Sequence, residues 1–300
     1  MWARRRAERE RGLAAIGVHA LGLSFVLVRR PSRGAPEVAA AEFRPFADAE
    51  PARVLADLAS DHDLRHTRAT TLLSEGDYRL IQTEAPDVKA DELKAALRWR
   101  VKDLIDFHIN DATLDVFDVP VQTPGRAVLV SVVVGRNEAI RRRVEFLEEA
   151  GVALDIIDIP DLAQRNLAAL LPEEQDGVAL LTLAEDTGLI TITRRGELYL
   201  SRTLPAPLAR GADPETLLVE LQRSLDYFES SFRQPPIMNV VVTPATERAT
   251  ELVAFLQSRL HQRVALWDIG RSGEWTSAVE IPHACVLTLG AALREEKVAL

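Results

Sequence analysis

The sequence has few of the residues that crosslink, anchor or export a chain. Its 300 residues include a single cysteine, Cys285, which excludes an intramolecular disulfide and suits a reducing compartment. The apolar run Ala15–Val28 has 14 residues and is interrupted by His19 and Ser24, whereas a membrane-spanning helix needs about 20. No small-x-small cleavage pattern follows this run. We therefore expect a soluble, cytoplasmic protein.

The sequence also lacks an excess of positive charge: acidic residues outnumber basic ones, and the formal net charge is -9. This balance argues against broad contact with a nucleic-acid backbone, which requires a basic face. The exception is the segment 1–12, where Trp2 stands among five arginines: Arg4, Arg5, Arg6, Arg9 and Arg11. We interpret this segment as a disordered basic arm, and weak adsorption to anionic lipid headgroups is the alternative.

Several catalytic motifs are missing. The sequence has no P-loop, no G-x-G-x-x-G turn and no G-x-S-x-G elbow, so these motifs give no basis for a phosphate loop, a dinucleotide site or a serine nucleophile. His62 and His66 are four residues apart, but no third ligand motif accompanies them, and we interpret the pair as a surface feature. Cys285 lies in an apolar segment, where a buried, inert thiol is expected. We predict neither catalytic nor metal-binding residues.

Hydrophobic patterning predicts a mixed α/β chain in two similar halves. Glycine and β-branched residues divide Ala15–Val28 into two strands with a tight turn near Ala20–Gly22, followed by a proline- and alanine-rich link. The second half opens in the same way with strands at Val178–Leu183 and Leu189–Thr193, after a polar link at 172–177. The clearest helix has an apolar stripe formed by Leu93, Leu97, Val101 and Leu104.

Five segments resemble the PilM family of pilus-assembly proteins, a branch of the actin and sugar-kinase superfold. The stretch "AIGVHALGLSFVLV" stands where the family has its first phosphate hairpin, and "LLTLAEDTGLITITRRGELYLSRTL" stands where it has its second. Further matches are "ELKAALRWRVKDLIDFHINDATLDVFDVP", "LQRSLDYF" and "ACVLTLGAALR". The form "RWRVKDLIDF" is similar to the MshI branch, found in mannose-sensitive haemagglutinin pilus systems.

The resemblance implies an α/β, actin-like fold with two lobes around a cleft and a small inserted subdomain. We expect a basic arm at 1–12, the first part of lobe 1 at 13–85, the inserted subdomain at 86–152, the return of lobe 1 at 153–176 and lobe 2 at 177–300.

The departures from the family pattern fall on residues that handle nucleotide. His19 replaces an acidic residue of the first hairpin, Thr182 and Ala184 replace the Asp and Gly of the second, and Thr243-Pro244 replaces a Gly-Gly turn. Mg²⁺ is usually held through carboxylates, and proline removes an N–H donor, so we expect no hydrolysis and no resident cofactor. A vestigial phosphate site would use four residues: Gly22, Ser24, Thr187 and Gly188.

An active ATPase or sugar-kinase relative is the alternative from a different class. It would take its metal ligands from Glu185 or Asp186, which lie close to the expected register.

The resemblance also implies a partner. PilM-like proteins bind the N-terminal cytoplasmic tail of a single-span inner-membrane protein, PilN or its MshJ counterpart, in a groove between the first lobe and the inserted subdomain. Here we expect the groove to include parts of the segments Leu93–Ile109 and Ala127–Val134. An extended tail could add backbone hydrogen bonds at a strand edge. The protein would then be peripheral to the inner membrane through this partner, alongside other pilus-platform components.

Overall fold

The computed structural model describes residues 12–31, 35–120, 128–184, 187–205, 213–244, 246–269, 276–277 and 279–295. The strands within them are Leu13–His19 (β1), Gly22–Arg29 (β2), Glu37–Pro45 (β3), Ala69–Leu72 (β4), Tyr78–Glu84 (β5), Ala112–Asp118 (β6), Leu129–Arg136 (β7), Leu154–Asp158 (β8), Val178–Leu183 (β9), Thr187–Arg194 (β10), Glu197–Pro205 (β11), Asn239–Thr243 (β12), Arg263–Leu266 (β13) and Thr276–Ser277 (β14). The helices are Pro51–Asp61 (α1), Ala90–Val101 (α2), Asn137–Glu149 (α3), Pro160–Ala168 (α4), Pro214–Phe232 (α5), Glu247–Arg259 (α6) and Val286–Ala292 (α7).

The opening apolar stretch forms a β-hairpin, as its glycines and β-branched residues predict. Strands β1 and β2 pair antiparallel from Leu13 and Val28 to His19 and Gly22. They lie inside a six-stranded sheet with the order β14-β3-β2-β1-β4-β8. Nearly every residue of both strands is buried, which explains why the run is apolar without alternation.

Strand β3 corrects the expectation of an irregular link after Val28. Its nine residues pair antiparallel with β2 and continue the sheet. The strand contains three consecutive alanines, Ala39–Ala41, which have low β-propensity, so the local pattern gives a weak signal. The strand forms because its backbone pairs with the buried strand β2, although its alanines have low β-propensity.

The second half forms a five-stranded sheet with the order β11-β10-β9-β12-β13. Strands β9, β10 and β11 are joined as consecutive antiparallel hairpins, and β12 and β13 add in parallel. Arg195 and Gly196 both have positive φ at the β10–β11 turn, as a two-residue hairpin turn requires. This sheet confirms that each half opens with a hairpin.

Helices α4 and α7 pack between the two sheets. Helix α7 packs on β1, β2 and β4, whereas α4 packs on β9, β10 and β11, and the two helices contact each other. One apolar core runs through these layers and includes Val26, Leu167, Leu180 and Leu289. The two lobes therefore share a continuous hydrophobic core along these helices.

The described residues fall into two compact units. The first contains both lobes, made of residues up to Leu72 and from Ala150 onward, and the second is the insertion Leu73–Glu149. The insertion contains a three-stranded sheet with the order β5-β7-β6 and helices α2 and α3. Strand β5 therefore belongs to the insertion, whereas the sequence assigned residues up to 85 to lobe 1. Its partner β7 lies about fifty residues along the chain, and no local pattern reveals that pairing.

Helix α2 ends earlier than its apolar stripe predicts. The helix ends at Val101, and the Leu104 side chain is 57% exposed. Arg98 Nη2 donates to the carbonyl oxygens of Ile109 and Ala112, both at 2.8 Å, and so holds the returning segment against the helix. The expected inward position of Leu104 is therefore wrong, because these tertiary hydrogen bonds favour a turn over another helical turn. Among the described residues, no helix combines the length and apolar character needed to cross a bilayer.

Candidate functional site

The first hairpin ends in a hydrogen-bonded chain of three side chains. His19 Nε2 lies 2.7 Å from Ser24 Oγ, and Ser24 Oγ lies 2.5 Å from Thr288 Oγ1 of helix α7. The Ser24 side chain is fully buried. Here His19 occupies the position where the resemblance expects a metal-binding carboxylate, and its ring contacts the hydroxyl of Ser24.

Gly17 creates the space for this chain. It pairs with Ser24 across the hairpin, and a Cβ at this position would overlap both Ser24 Oγ and Thr288 Oγ1. Thr288 was not among the residues singled out from the sequence. It comes from the other end of the chain, more than 260 residues away, so only the packing of α7 on the hairpin reveals it.

Gly22 has a packing role in the structure. A Cβ here would overlap the carbonyl oxygen of Arg44 on β3, so the hairpin turn can approach that strand only with glycine. The backbone N–H of Phe46 also donates to the Leu21 carbonyl at 2.9 Å, which fixes the turn against the end of β3. A phosphate contact by Gly22 or Ser24 stays a prediction.

The second hairpin brings together the other predicted residues. Gly188 pairs with Leu183, and the Ala184 N–H donates to the Thr187 carbonyl at 2.9 Å. Glu185 and Asp186 lie outside the described residues. The backbone at this hairpin is therefore β-paired up to its turn, and the roles of Thr187 and Gly188 toward phosphate stay predictions.

Two threonines stand side by side at the ends of β9 and β12. Thr182 pairs with Thr243 in the parallel register, and both are buried. Among the residues that the structure describes, neither hydroxyl has a hydrogen-bond partner, which is costly for a buried polar group. Pro244 follows at once through a cis peptide bond. At the positions where the resemblance predicts Asp-x-Gly and Gly-Gly, this edge presents two buried hydroxyls and a ring without an N–H.

The crossing of α4 and α7 beside these strand ends depends on a glycine. A Cβ at Gly290 would overlap the carbonyl oxygen of Ala163 on α4, and Asn166 Nδ2 donates to the Gly290 carbonyl at 2.9 Å. Close backbone contact is possible only without a side chain. The helices that join the lobes are therefore fixed in direct contact.

The histidine pair and the cysteine have structural roles. His62 lies just after α1, stacks on Phe25 with ring centroids 4.2 Å apart and contacts Glu42 Oε1 at 2.5 Å. His66 instead contacts Asp63 at 2.8 Å. Across the described residues, no three metal-ligating side chains converge. Cys285 lies in the 3-10 turn before α7, and burial raises the pKa of its thiol to about 12, so the expected buried, inert cysteine is present.

Three solved structures resemble this chain over most of its length. The PilM–PilN type IV pilus biogenesis complex matches with a TM-score of 0.73 at 22% identity, covering 95% of this chain and 98% of that one. The cytoplasmic domain of EpsL from the type II secretion system of Vibrio cholerae matches at 0.56 and 14% identity, over 95% and 96%. A Bacteroides thetaiotaomicron protein with an actin-like ATPase fold matches at 0.51 and 10% identity, over 87% and 92%. This chain has an actin-like fold. It matches no family model and no curated protein sequence.

The predicted partner-binding segments lie in the insertion, and much of their apolar surface is turned inward. Leu97 and Val101 of α2 pack against Val130, Val132 and Val134 of β7. Strand β7 is the central strand of its sheet and pairs with β5 on one side and β6 on the other. Ala127 lies outside the described residues.

Proposed function

We propose that this protein is a non-catalytic, actin-like assembly component of a type IV pilus or type II secretion-like inner-membrane platform. The observation that carries the proposal is the likeness to the PilM–PilN complex over almost the full length of both chains. The likeness to the EpsL cytoplasmic domain supports the same class of assembly.

The first hairpin supports the non-catalytic part of the proposal. Three side chains, His19, Ser24 and Thr288, bond to one another where a nucleotide-binding relative would present a carboxylate to Mg²⁺. Thr182 and Thr243 provide hydroxyl groups where the family has a carboxylate and glycines. Hydroxyl groups are weak Mg²⁺ ligands, so the described residues at this edge favour structure over phosphoryl chemistry.

The proposed partner is the N-terminal cytoplasmic tail of a single-span membrane protein similar to PilN. In the proposal, the fold serves as a binding surface, and attachment to the inner membrane depends on that tail. Placement in an MSHA-type pilus, as the MshI-like segment "RWRVKDLIDF" suggests, is a finer part of the same proposal.

Fluorescence anisotropy with a labelled synthetic peptide of that tail tests the proposal. We expect a dissociation constant on the order of micromolar, as is common for a short segment that places one or two apolar side chains. No binding at several hundred micromolar would overturn the proposal. Deletion of residues 1–12 is the matched control, because release from partner-containing membranes by that deletion alone would transfer the membrane role to the basic arm.

The second candidate function is nucleotide hydrolysis with Glu185 or Asp186 as the metal ligand. The reason for this second candidate is that both carboxylates follow the end of β9 closely in the sequence, after Ala184. Steady phosphate release that disappears in both Glu185→Ala and Asp186→Ala would favour it.

A further inference from the structure

Helix α4 is bonded to the five-stranded sheet by buried polar side chains. Gln164 is fully buried, and its Nε2 donates to the carbonyl oxygens of Leu180 on β9 and Leu189 on β10, at 2.6 and 3.0 Å. The Ser201 hydroxyl on β11 donates to Asp161 Oδ1 of the same helix at 2.5 Å. A buried polar group that loses its partner is costly, so these bonds fix α4 on the first three strands of lobe 2.

Helix α7 is bonded in a similar way to the six-stranded sheet. Besides its contact with the first hairpin, it is held at its end by Arg30, which directly follows β2 and donates through Nη2 to the Leu293 carbonyl at 2.6 Å. Arg294 Nη1 donates to Asp158 Oδ2 at 2.8 Å, and the Asp158 carboxylate is buried at the end of β8. Helix α7 is therefore attached to lobe 1 at several separate points.

The two helices meet backbone to backbone. A Cβ at Gly290 of α7 would lie 2.1 Å from the Ala163 carbonyl oxygen and 3.0 Å from Leu167 Cγ of α4. A shear motion slides one packed helix along another. Every other residue of α7 carries a Cβ, so sliding would bring a side chain against the Ala163 carbonyl, where even a Cβ does not fit. This crossing therefore resists shear.

The connection from β8 to α4 also resists bending. It consists of Asp158, Ile159 and Pro160, and Pro160 is the first residue of the helix. Proline fixes its own φ angle, and the Asp158 carboxylate accepts from the Ile159 N–H at 2.8 Å while it is paired with Arg294. A hinge needs a few residues that absorb large changes in φ and ψ. The bonded aspartate and the proline remove that freedom here.

The apolar core around the two helices opposes any separation of the lobes. Residues of both sheets belong to it, including Val28 of β2 and Leu180 of β9, and Trp267 joins them just after β13. Opening the lobes would expose this surface to water, which is unfavourable in proportion to the apolar area exposed. Consistent with this, both sheets belong to one compact unit.

We propose that α4 and α7 form an interlobe clamp that holds the two lobes at one fixed angle, with or without a ligand. The clamp consists of Asp158, Ala163, Gln164, Gly290 and Arg294 with their contacts. Many two-lobed proteins respond to a ligand by hinge or shear closure, and the clamp prevents both motions in this chain. The inference goes beyond the proposed function, because it concerns the motion of the lobes and requires no partner.

The test measures the distance between the lobes in the full chain by double electron–electron resonance. Nitroxide labels are placed on two exposed helical alanines, Ala56 of α1 and Ala254 of α6, after each is changed to cysteine. The native Cys285 can stay, because burial raises the pKa of its thiol to about 12 and keeps it unreactive. We expect a single narrow distance distribution without any ligand.

Two variants should loosen the clamp. Gly290→Ala forces the helices apart and should broaden the distance distribution at least about twofold or add a second distance. Gln164→Met keeps a side chain of similar length, removes the bonds to β9 and β10, and should broaden the distribution less; it also replaces Gly290→Ala if that variant does not fold. Gly135→Ala on β7 is the matched control. Its nearest neighbour would be Ile140 Cδ1, the end of a flexible side chain at 3.0 Å, so the distribution should not change.

Three results would overturn the inference. The first is a broad or two-peaked distribution in the labelled parent chain. The second is a shift of more than about 2 Å on addition of millimolar MgATP, because hinge closure moves domains by at least this much. The third is the narrow parental distribution in every folded variant, which would show that other contacts fix the angle. None of these results bears on the proposed function, which the peptide-binding experiment tests separately.

Discussion

The two lobes differ in how the buried hydroxyl groups near the ends of their strands are hydrogen-bonded. In lobe 1, the Ser24 hydroxyl is fully buried and bonded to both His19 and Thr288. In lobe 2, the buried hydroxyls of Thr182 and Thr243 have no hydrogen-bond partner within the described part of the chain. Both edges keep regular β-pairing up to their ends. Backbone pairing thus persists in both lobes. Among the described residues, the buried hydroxyl groups are hydrogen-bonded at the lobe 1 hairpin and unbonded at Thr182 and Thr243.

Two carboxylates removed from full solvent exposure show a similar contrast in their hydrogen-bond partners. Burial alone would raise the pKa of Glu42 in lobe 1, but hydrogen bonds from Arg44 and His62 outweigh it and lower the pKa. Beside the β10–β11 turn, burial raises the pKa of Glu174, and the hydrogen bond from the Gly196 N–H only partly offsets this effect. The Glu42 carboxylate is therefore stabilised in its charged form by hydrogen-bond donors, whereas burial of Glu174 disfavours its charged form.

The largest expected effect is on the polar chain of lobe 1. Gly17→Ala would place a methyl group against Ser24 Oγ and Thr288 Oγ1, both of which are buried. We expect a loss of about 2–3 kcal/mol in unfolding free energy, from overpacking and broken hydrogen bonds, measured by urea denaturation. Leu21→Ala at the 77% exposed tip of the same hairpin is the control and should cost less than about 0.5 kcal/mol. Equal stability of Gly17→Ala and wild type would show that the hydrogen-bonded side chains of His19, Ser24 and Thr288 can rearrange without loss of stability.

A pair of isosteric substitutions tests the contrast itself. Thr288→Val removes a bonded hydroxyl and should cost about 1–2 kcal/mol, because Ser24 loses a partner. Thr243→Val removes an unbonded hydroxyl and should be neutral or slightly stabilising. Chemical denaturation midpoints measure both. A similar loss in the two variants would mean that Thr243 has a partner, such as an ordered water, and the comparison would no longer hold.

The two carboxylates predict pH effects of opposite sign. The lowered pKa of Glu42 stabilises the fold above the ordinary glutamate range, and this contribution is lost as the pH falls through the folded-state pKa. The raised pKa of Glu174 destabilises the fold as the pH rises from the ordinary glutamate range through the folded-state value. Glu42→Gln should therefore lower the unfolding free energy at neutral pH by about 1 kcal/mol, and the melting temperature should fall with it. Glu174→Gln should keep or raise it, and melting curves from pH 4 to pH 8 would reveal a reversal of these signs.

The smallest expected effect is that of nucleotide. A ligand stabilises a fold only when its concentration exceeds its dissociation constant, so weak binding at a degenerate site gives little gain. We expect millimolar MgATP to raise the melting temperature by less than about 2 °C in a thermal-shift assay. A shift several times larger would restore the ATPase alternative.

Much of the architecture could be predicted from short-range patterns. The hairpin of Leu13–Arg29, strand β6 and helix α5 follow from β-branched runs, alternation and apolar spacing, because these elements satisfy their hydrogen bonds close in sequence. The assignment of β5 to the inserted sheet and the existence of β3 could not be predicted in this way. Strand β5 pairs with β7 about fifty residues along the chain, and β3 contains three consecutive alanines that give only a weak local signal for a strand.

The candidate sites divide in the same manner. The sequence by itself determined that His19, Thr182 and Ala184 carry no carboxylate and that Pro244 has no N–H, because residue type alone decides which groups can bind Mg²⁺ or donate to a phosphate. Only the tertiary structure decided that Thr288 completes the polar chain, that β7 is paired on both sides and that Trp99 faces solvent while Arg98 faces inward. These features depend on contacts between segments far apart in sequence, and such contacts form only when the sheets and helices pack.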